Sequence, residues 1–218
     1  MTNILSHAVI RECLNPECKF RFPDTNYLDD PISCPLCGCE VVIKETIDLT
    51  EDNRKNINFK SSIEFIPILD NVRSVYNVGA IFRTAAGYGL HHAHLCGITP
   101  TPKHKNFTKT SLGAENFISW EKSLNCVDLC KSLKDNGYQI ISIESTTESI
   151  SLINVEEEDL RCKKIAIIIG NEISGIDPKV IMLSDLVISI PIIGENKSFN
   201  VTTALGIALF HLVTLASI

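Results

Sequence analysis

The stretch that decides the fold is Lys164-Ile165-Ala166-Ile167-Ile168-Ile169-Gly170-Asn171-Glu172-Ile173-Ser174-Gly175-Ile176. Residues 165–169 are uninterrupted, mostly β-branched and apolar on both faces. That is the pattern of a strand in the middle of a parallel sheet. The run then breaks into glycines and polar side chains, and the carboxyl ends of strands are where an open α/β sheet binds its ligand. Working outward, Glu64–Leu69, Ala93–Ile98, Gln139–Ile143 and Leu186–Ile190 read as further strands. Val78–Tyr88, Val127–Asn136, Pro178–Leu183 and Val201–Ser217 read as helices, with Gly87, Gly89 and Gly137 as stops. The alternation predicts an α/β domain over residues 62–218, a mostly parallel sheet with helices on both faces. No G-x-G-x-x-G follows an early strand, which excludes a nicotinamide-binding Rossmann domain.

Two more segments are too polar or glycine-rich for their places. One is Asn77-Val78-Gly79-Ala80-Ile81-Phe82-Arg83-Thr84-Ala85. The other is Ile190-Pro191-Ile192-Ile193-Gly194-Glu195-Asn196-Lys197-Ser198-Phe199-Asn200, which follows a strand and feeds the last helix. Taken singly, each has an ordinary reading. Asn77, Ser198 and Asn200 suit helix caps, Arg83 a surface position, and Gly170 and Gly175 turns. Together and in this order they point to one site.

The chain has 218 residues, of which 44% are hydrophobic and 21% charged. This is enough for one good core and a small appendage, and it excludes a low-complexity or largely disordered chain. No apolar run is long enough to span a bilayer. Val201–Ile218 comes closest, but Thr202, Thr203, His211, Thr214 and Ser217 interrupt it. Met1–Ile10 lacks the basic-then-apolar order of a signal peptide, so a cytoplasmic protein without a membrane partner is expected. The net charge of −6 argues against a protein that coats nucleic acid. Yet residues 71–110 contain no Asp or Glu, while holding Arg73, Arg83, Lys103, Lys105 and Lys109, a local +5.

Five of the nine cysteines fall within residues 13–39, as Cys13-x4-Cys18 and, fifteen residues on, Cys34-x2-Cys37 with Cys39 beyond. Two short-spaced pairs across such a spacer are the signature of a zinc ribbon. Each short turn aims two thiolates at one point, and two turns complete a tetrahedron. Cys13, Cys18, Cys34 and Cys37 are the expected ligands, with Cys39 in place of Cys37 as the variant and free thiols as the alternative. Four thiolates close the coordination sphere, so the zinc would be structural. The expected organisation is a zinc-ribbon-like domain over residues 1–45, a linker over 46–61 and the α/β domain over 62–218.

The three polar segments resemble the three motifs of the SpoU family of RNA ribose 2′-O-methyltransferases, in the SPOUT superfamily. They stand as Asn77-Val78-Gly79 with Arg83, Gly170-Asn171-Glu172 with Gly175, and Ile190-Pro191 with Ser198-Phe199-Asn200-Val201. Phe199 replaces the usual Leu, and the Asp-Pro often found before the first motif is missing. The resemblance covers about residues 62–218. It implies a deep trefoil knot at the C-terminal end, S-adenosylmethionine as cofactor, an RNA substrate (tRNA or rRNA) and a homodimer formed through the knot region.

The resemblance also implies site residues. Thr146, Gly170, Asn171, Glu172, Ile190, Ile192, Ser198 and Phe199 would bind the cofactor. Arg83, Asn77, Glu172, Ser198 and Asn200 would form the catalytic set, with Arg83 of one subunit serving the other's site. Arg83 would hold the neighbouring phosphate and stabilise a developing alkoxide, with a general-base role left open. Arg73, Arg83, Lys103, Lys105 and Lys109 would meet RNA phosphates, and the ribbon would help choose the RNA or else only support the fold. Two rival readings are a non-catalytic zinc-containing RNA-binding dimer and a SPOUT enzyme that methylates a base nitrogen. The S-x-N-V form of the third motif favours the ribose branch.

Overall fold

The computed structural model describes residues 7–25, 33–49 and 62–217. The chain divides into two compact units, Met1–Asn58 and Phe59–Ile218.

In the first unit, β1 (His7–Cys13), β2 (Arg21–Asp24) and β3 (Val41–Asp48) form an antiparallel sheet in the order β2-β1-β3. Among its described residues the buried apolar ones are few: Ala8, Val9, Cys13 and Cys34. A buried ion pair, Arg11 Nε to Asp24 Oδ2 at 2.7 Å, ties β1 to β2. β3 runs to Asp48, past the expected domain end at residue 45. Thr46, Ile47 and Asp48 pair with Val9, Ala8 and His7 of β1 instead of starting a linker. The strand is almost wholly exposed beyond Val42, so ladder hydrogen bonds hold it without an apolar pattern to announce it. The rest of the expected linker, residues 50–61, lies outside the described residues.

The second unit is built on a seven-stranded parallel sheet in the order β6-β5-β4-β9-β7-β10-β8. The strands are β4 (Glu64–Asp70), β5 (His92–Cys96), β6 (Ser119–Ser123), β7 (Gln139–Ile143), β8 (Ile150–Ser151), β9 (Lys164–Ile169) and β10 (Leu186–Ser189). The helices are α1 (Val75–Gly87), a short α2 (Thr108–Ser111), α3 (Cys126–Asp135), α4 (Pro178–Leu183) and α5 (Val201–Leu215). As expected, β9 is central and buried on both faces. Ile165, Ile167 and Ile169 join the core under α1 and α5, while Ala166 and Ile168 join the core under α3 and α4.

Several boundaries differ from the sequence reading by one to three residues, and two of them show their cause. β5 ends at Cys96, because Gly97 turns with φ +55° and the Ile98 N–H leaves the ladder for Asn71 Oδ1. α1 begins at Val75, because Ser74 Oγ accepts the Asn77 N–H and caps the first turn. Among the described residues no helix is long and apolar enough to cross a membrane.

Candidate active site

Three loops leave the carboxyl ends of β7, β9 and β10 and surround a cavity of about 420 Å³. This falls within the range of small-molecule sites. Its apolar wall includes Ile143, Ile169, Ile188, Ile190, Ile192 and Phe199, and its polar lining includes Glu144, Ser145, Asn171, Glu172, Ser198 and Asn200.

Hydrogen bonds tie the three motif segments together. The Glu172 carboxylate accepts the backbone N–H groups of Arg73 at 2.9 Å and Ser74 at 3.0 Å, and the Asn77 side-chain amide at 2.9 Å. It sits at the positive N-terminal end of α1. Asn77 Oδ1 in turn accepts the Asn200 amide at 3.2 Å. Asn200 Oδ1 accepts the Thr202 N–H at 2.9 Å and caps α5. Residues 95 and 123 positions apart thus share one network.

Burial alone would push the Glu172 carboxyl up, but the Arg73 and Ser74 N–H groups and the Asn77 amide outweigh it and hold it below the usual range. A depressed carboxyl contributes stability above its unfolded pKa and loses it as the pH falls through the folded one. Glu172→Gln is therefore expected to cost about 1.5–3 kcal/mol at neutral pH, nearer the lower figure because the group is partly solvated. Denaturant melts of both proteins across the acid range check this. The gap should shrink below the ordinary carboxylate pKa, and a gap independent of pH would contradict the assignment.

The loop after β9 is held by its own backbone. Asn171 and Gly175 exchange two backbone hydrogen bonds of 3.0 Å. The Asn171 side chain accepts the Ile173 and Ser174 N–H groups and donates to the Asn71 carbonyl at 2.8 Å. A Cβ at Gly170 would run into the Gly175 carbonyl and the Ile176 nitrogen. Glycine is thus required by the loop's own closure.

Residues 64–210 match the SpoU rRNA Methylase family. The chain belongs to the SpoU methylase family. It is 31% identical over 155 residues, 70% of each chain, to the tRNA (guanosine(18)-2′-O)-methyltransferase of Aquifex aeolicus. The enzyme of the same name from Escherichia coli K12 is 26% identical over 143 residues, spanning 66% of this chain and 60% of that one. The solved A. aeolicus TrmH/SpoU tRNA modifying enzyme superposes with a TM-score of 0.62 at 26% identity, covering 71% of this chain and 77% of that one. The AdoMet-bound rRNA methyltransferase from Sinorhizobium meliloti gives 0.63 at 23% identity over 81% and 64%, a likeness of fold alone.

On this SpoU scaffold, Gly170, Asn171, Glu172, Ile190, Ile192, Ser198, Phe199 and Asn200, all named from the sequence as site residues, line the cavity. Thr146 is not among the lining residues; its neighbour Ser145 is, while Thr146 turns toward Ser149. Asn77 is a positioning residue that holds Glu172 and Asn200 from behind. Arg83 is exposed on α1 and does not line the cavity of its own chain. Arg73, Lys103, Lys105 and Lys109 are all exposed. The basic loop is pinned by buried Phe107, edge-on against Phe82 at 5.1 Å, and Lys103 lies 6.0 Å over the Trp120 ring.

Sequence reasoning missed Glu144. It accepts the Ile176 N–H at 3.0 Å, packs beside Gly175 and lines the cavity. Its place one residue beyond a strand's carboxyl end was the available signal.

In the first unit the sulfurs of Cys13, Cys18, Cys34 and Cys37 lie within 4.8 Å of one another. Cys13 and Cys37 are 3.5 Å apart, and Cys18 and Cys34 are 3.7 Å apart. Four thiolates about 2.3 Å from a tetrahedral zinc would be spaced about 3.8 Å, so the residues present fit the metal. Two turns produce this. Lys19 (φ +49°) and Gly38 (φ +73°) take left-handed conformations directly after Cys18 and Cys37. Cys39 is not in the group; its sulfur meets the Asn15 amide and the Cys37 carbonyl.

Proposed function

We propose that this chain methylates the ribose 2′-hydroxyl of a tRNA or rRNA, using S-adenosylmethionine bound in the cavity beneath Gly170–Glu172. The observation that carries the reading is a cavity lined by the second and third SpoU motifs and tied to the first through the Glu172–Asn77–Asn200 network. The apolar wall of isoleucines and Phe199 suits an adenine ring, and the polar lining suits an amino acid moiety. When bound, the cofactor supplies an electrophilic methyl carbon.

The chain's residues do the rest. Rigid loops fix the site so that the entropy of alignment is lost before reaction. Arg83 holds the phosphate beside the target ribose and stabilises charge developing on the 2′-oxygen. Because Arg83 lies outside its own chain's cavity, we assign it to the cavity of a partner copy in a homodimer. The family relationship supports a trefoil knot beneath the cavity. The exposed Arg73, Lys103, Lys105 and Lys109 meet the RNA backbone.

The four-cysteine cluster holds structural zinc in a ribbon that helps select the RNA. The reduced thiols suit a cytoplasmic setting.

Label transfer from tritiated S-adenosylmethionine to tRNA and, separately, to rRNA tests this. Label should enter one RNA class and survive alkali in a dinucleotide. Arg83→Ala should lower the rate about 10²–10⁴-fold while leaving cofactor affinity unchanged. Cofactor binding with transfer to neither RNA would move the assignment to a non-catalytic RNA-binding dimer.

A further inference from the structure

We propose that His92, His94 and Glu121 form a binding site for a divalent transition-metal ion of the zinc class, set across the edge of the seven-stranded sheet. It stands independently of the methyl-transfer reading and of the cysteine cluster.

The register places the three residues together. β5 and β6 pair in parallel with His92 opposite Ser119 and His94 opposite Glu121. Alternate side chains of a strand share a face, so both imidazoles and the carboxylate project from the same side. One ligand atom from each lies within 4.8 Å of the others. The imidazole rings are 4.7 Å apart, edge to face.

The second observation is a nitrogen without a partner. The His94 side chain is 8% exposed, and its Nδ1 is buried with no hydrogen-bond partner among the described residues. A buried polar atom left unpaired is destabilising and calls for a cause. Glu121 Oε2 is 3.9 Å away, too far for a hydrogen bond. With metal–ligand bonds of about 2.0–2.2 Å, a single ion spans that gap.

Ligation needs a neutral imidazole with a free lone pair. The Ser119 hydroxyl gives its proton to the His91 carbonyl at 2.9 Å, so its oxygen accepts from His92 Nδ1–H at 2.8 Å. That leaves His92 Nε2 with a free lone pair, oriented as ligating histidines usually are by a bond from the other ring nitrogen.

Two imidazoles and a carboxylate suit zinc better than magnesium or calcium, which prefer all-oxygen shells. The ion would clasp edge strand β6, which is mostly exposed, to β5. It would thereby fasten the end of the basic loop that carries Lys103, Lys105 and Lys109.

The test uses the full chain, dialysed against cobalt(II) and analysed for metal per chain and for visible absorption. Glu121 is exposed, so Glu121→Gln keeps the fold; His92→Ala is the second variant. Each should carry about one metal fewer than wild type, as a three-ligand site predicts. The absorption lost should lack thiolate-to-metal charge transfer, which separates this ion from any held by cysteines. Ser119→Ala should weaken the site about 10–100-fold. Equal metal content in wild type and both variants, or loss of a thiolate charge-transfer band, would overturn the proposal.

Discussion

Gly170→Ala is expected to cost this protein its cofactor. The loop from Gly170 to Ile176 closes on itself through the paired Asn171 and Gly175 backbones. The added methyl would meet backbone atoms of Gly175 and Ile176, so no flexible side chain can yield. The backbone must open, at about 1–3 kcal/mol for such overpacking. Opening displaces Glu172 from the N-terminus of α1, and with it the Asn77–Asn200 link. A shift of about 1 Å in a positioning element costs on the order of 10²-fold, and here the shift lies inside the binding loop. Calorimetric titration with S-adenosylmethionine should show at least about a hundredfold weaker binding. Gly194 is the control. It also lies in a motif loop, but a Cβ there has nothing within 4 Å, so Gly194→Ala should bind normally. Near-wild-type affinity in Gly170→Ala would mean that this loop does not shape the cofactor site.

What the sequence revealed depended on burial. β4, β7, β9 and β10 were legible because buried parallel strands must be apolar on both faces. β6 was not, since Ser119-Trp120-Glu121-Lys122-Ser123 sits on the sheet edge and is mostly exposed, with only Trp120 and Ser123 half-buried. β1 was missed at an N-terminus where a three-stranded sheet leaves little to bury, and β8 is only two residues long. The same logic governs the site. Gly170–Gly175 and Ile190–Asn200 stood out as polar breaks after apolar strands. Glu144 follows a strand too, but no glycine marked that loop, and only the family resemblance pointed there, at Thr146. The role of Asn77 needed the third dimension, because a cap residue and a bridge between Glu172 and Asn200 have the same sequence. So did the His92, His94 and Glu121 cluster, which exists only through the β5–β6 register.

Cys34→Ser is expected to undo the N-terminal unit. Among its described residues four apolar ones are buried, and two of these, Cys13 and Cys34, belong to the sulfur cluster itself, so the cluster is a large share of that core. So small a core rarely supports a fold without a staple. Structural zinc on thiolates contributes about 10–16 kcal/mol of apparent binding free energy at neutral pH, more than the remaining contacts can supply. A lost ligand should release the metal and leave residues 7–49 open to protease. Strong chelation of the wild type should do the same. Acid should act in the same direction, because protons compete with zinc for each thiolate, so the metal is held more tightly as pH rises. The cluster geometry separates the two candidate fourth ligands: Cys37→Ser should release zinc, whereas Cys39→Ser should keep it. Metal analysis beside limited proteolysis reads all four proteins. A Cys34→Ser chain that holds its metal and resists protease like the wild type would show that these sulfurs are ordinary buried thiols.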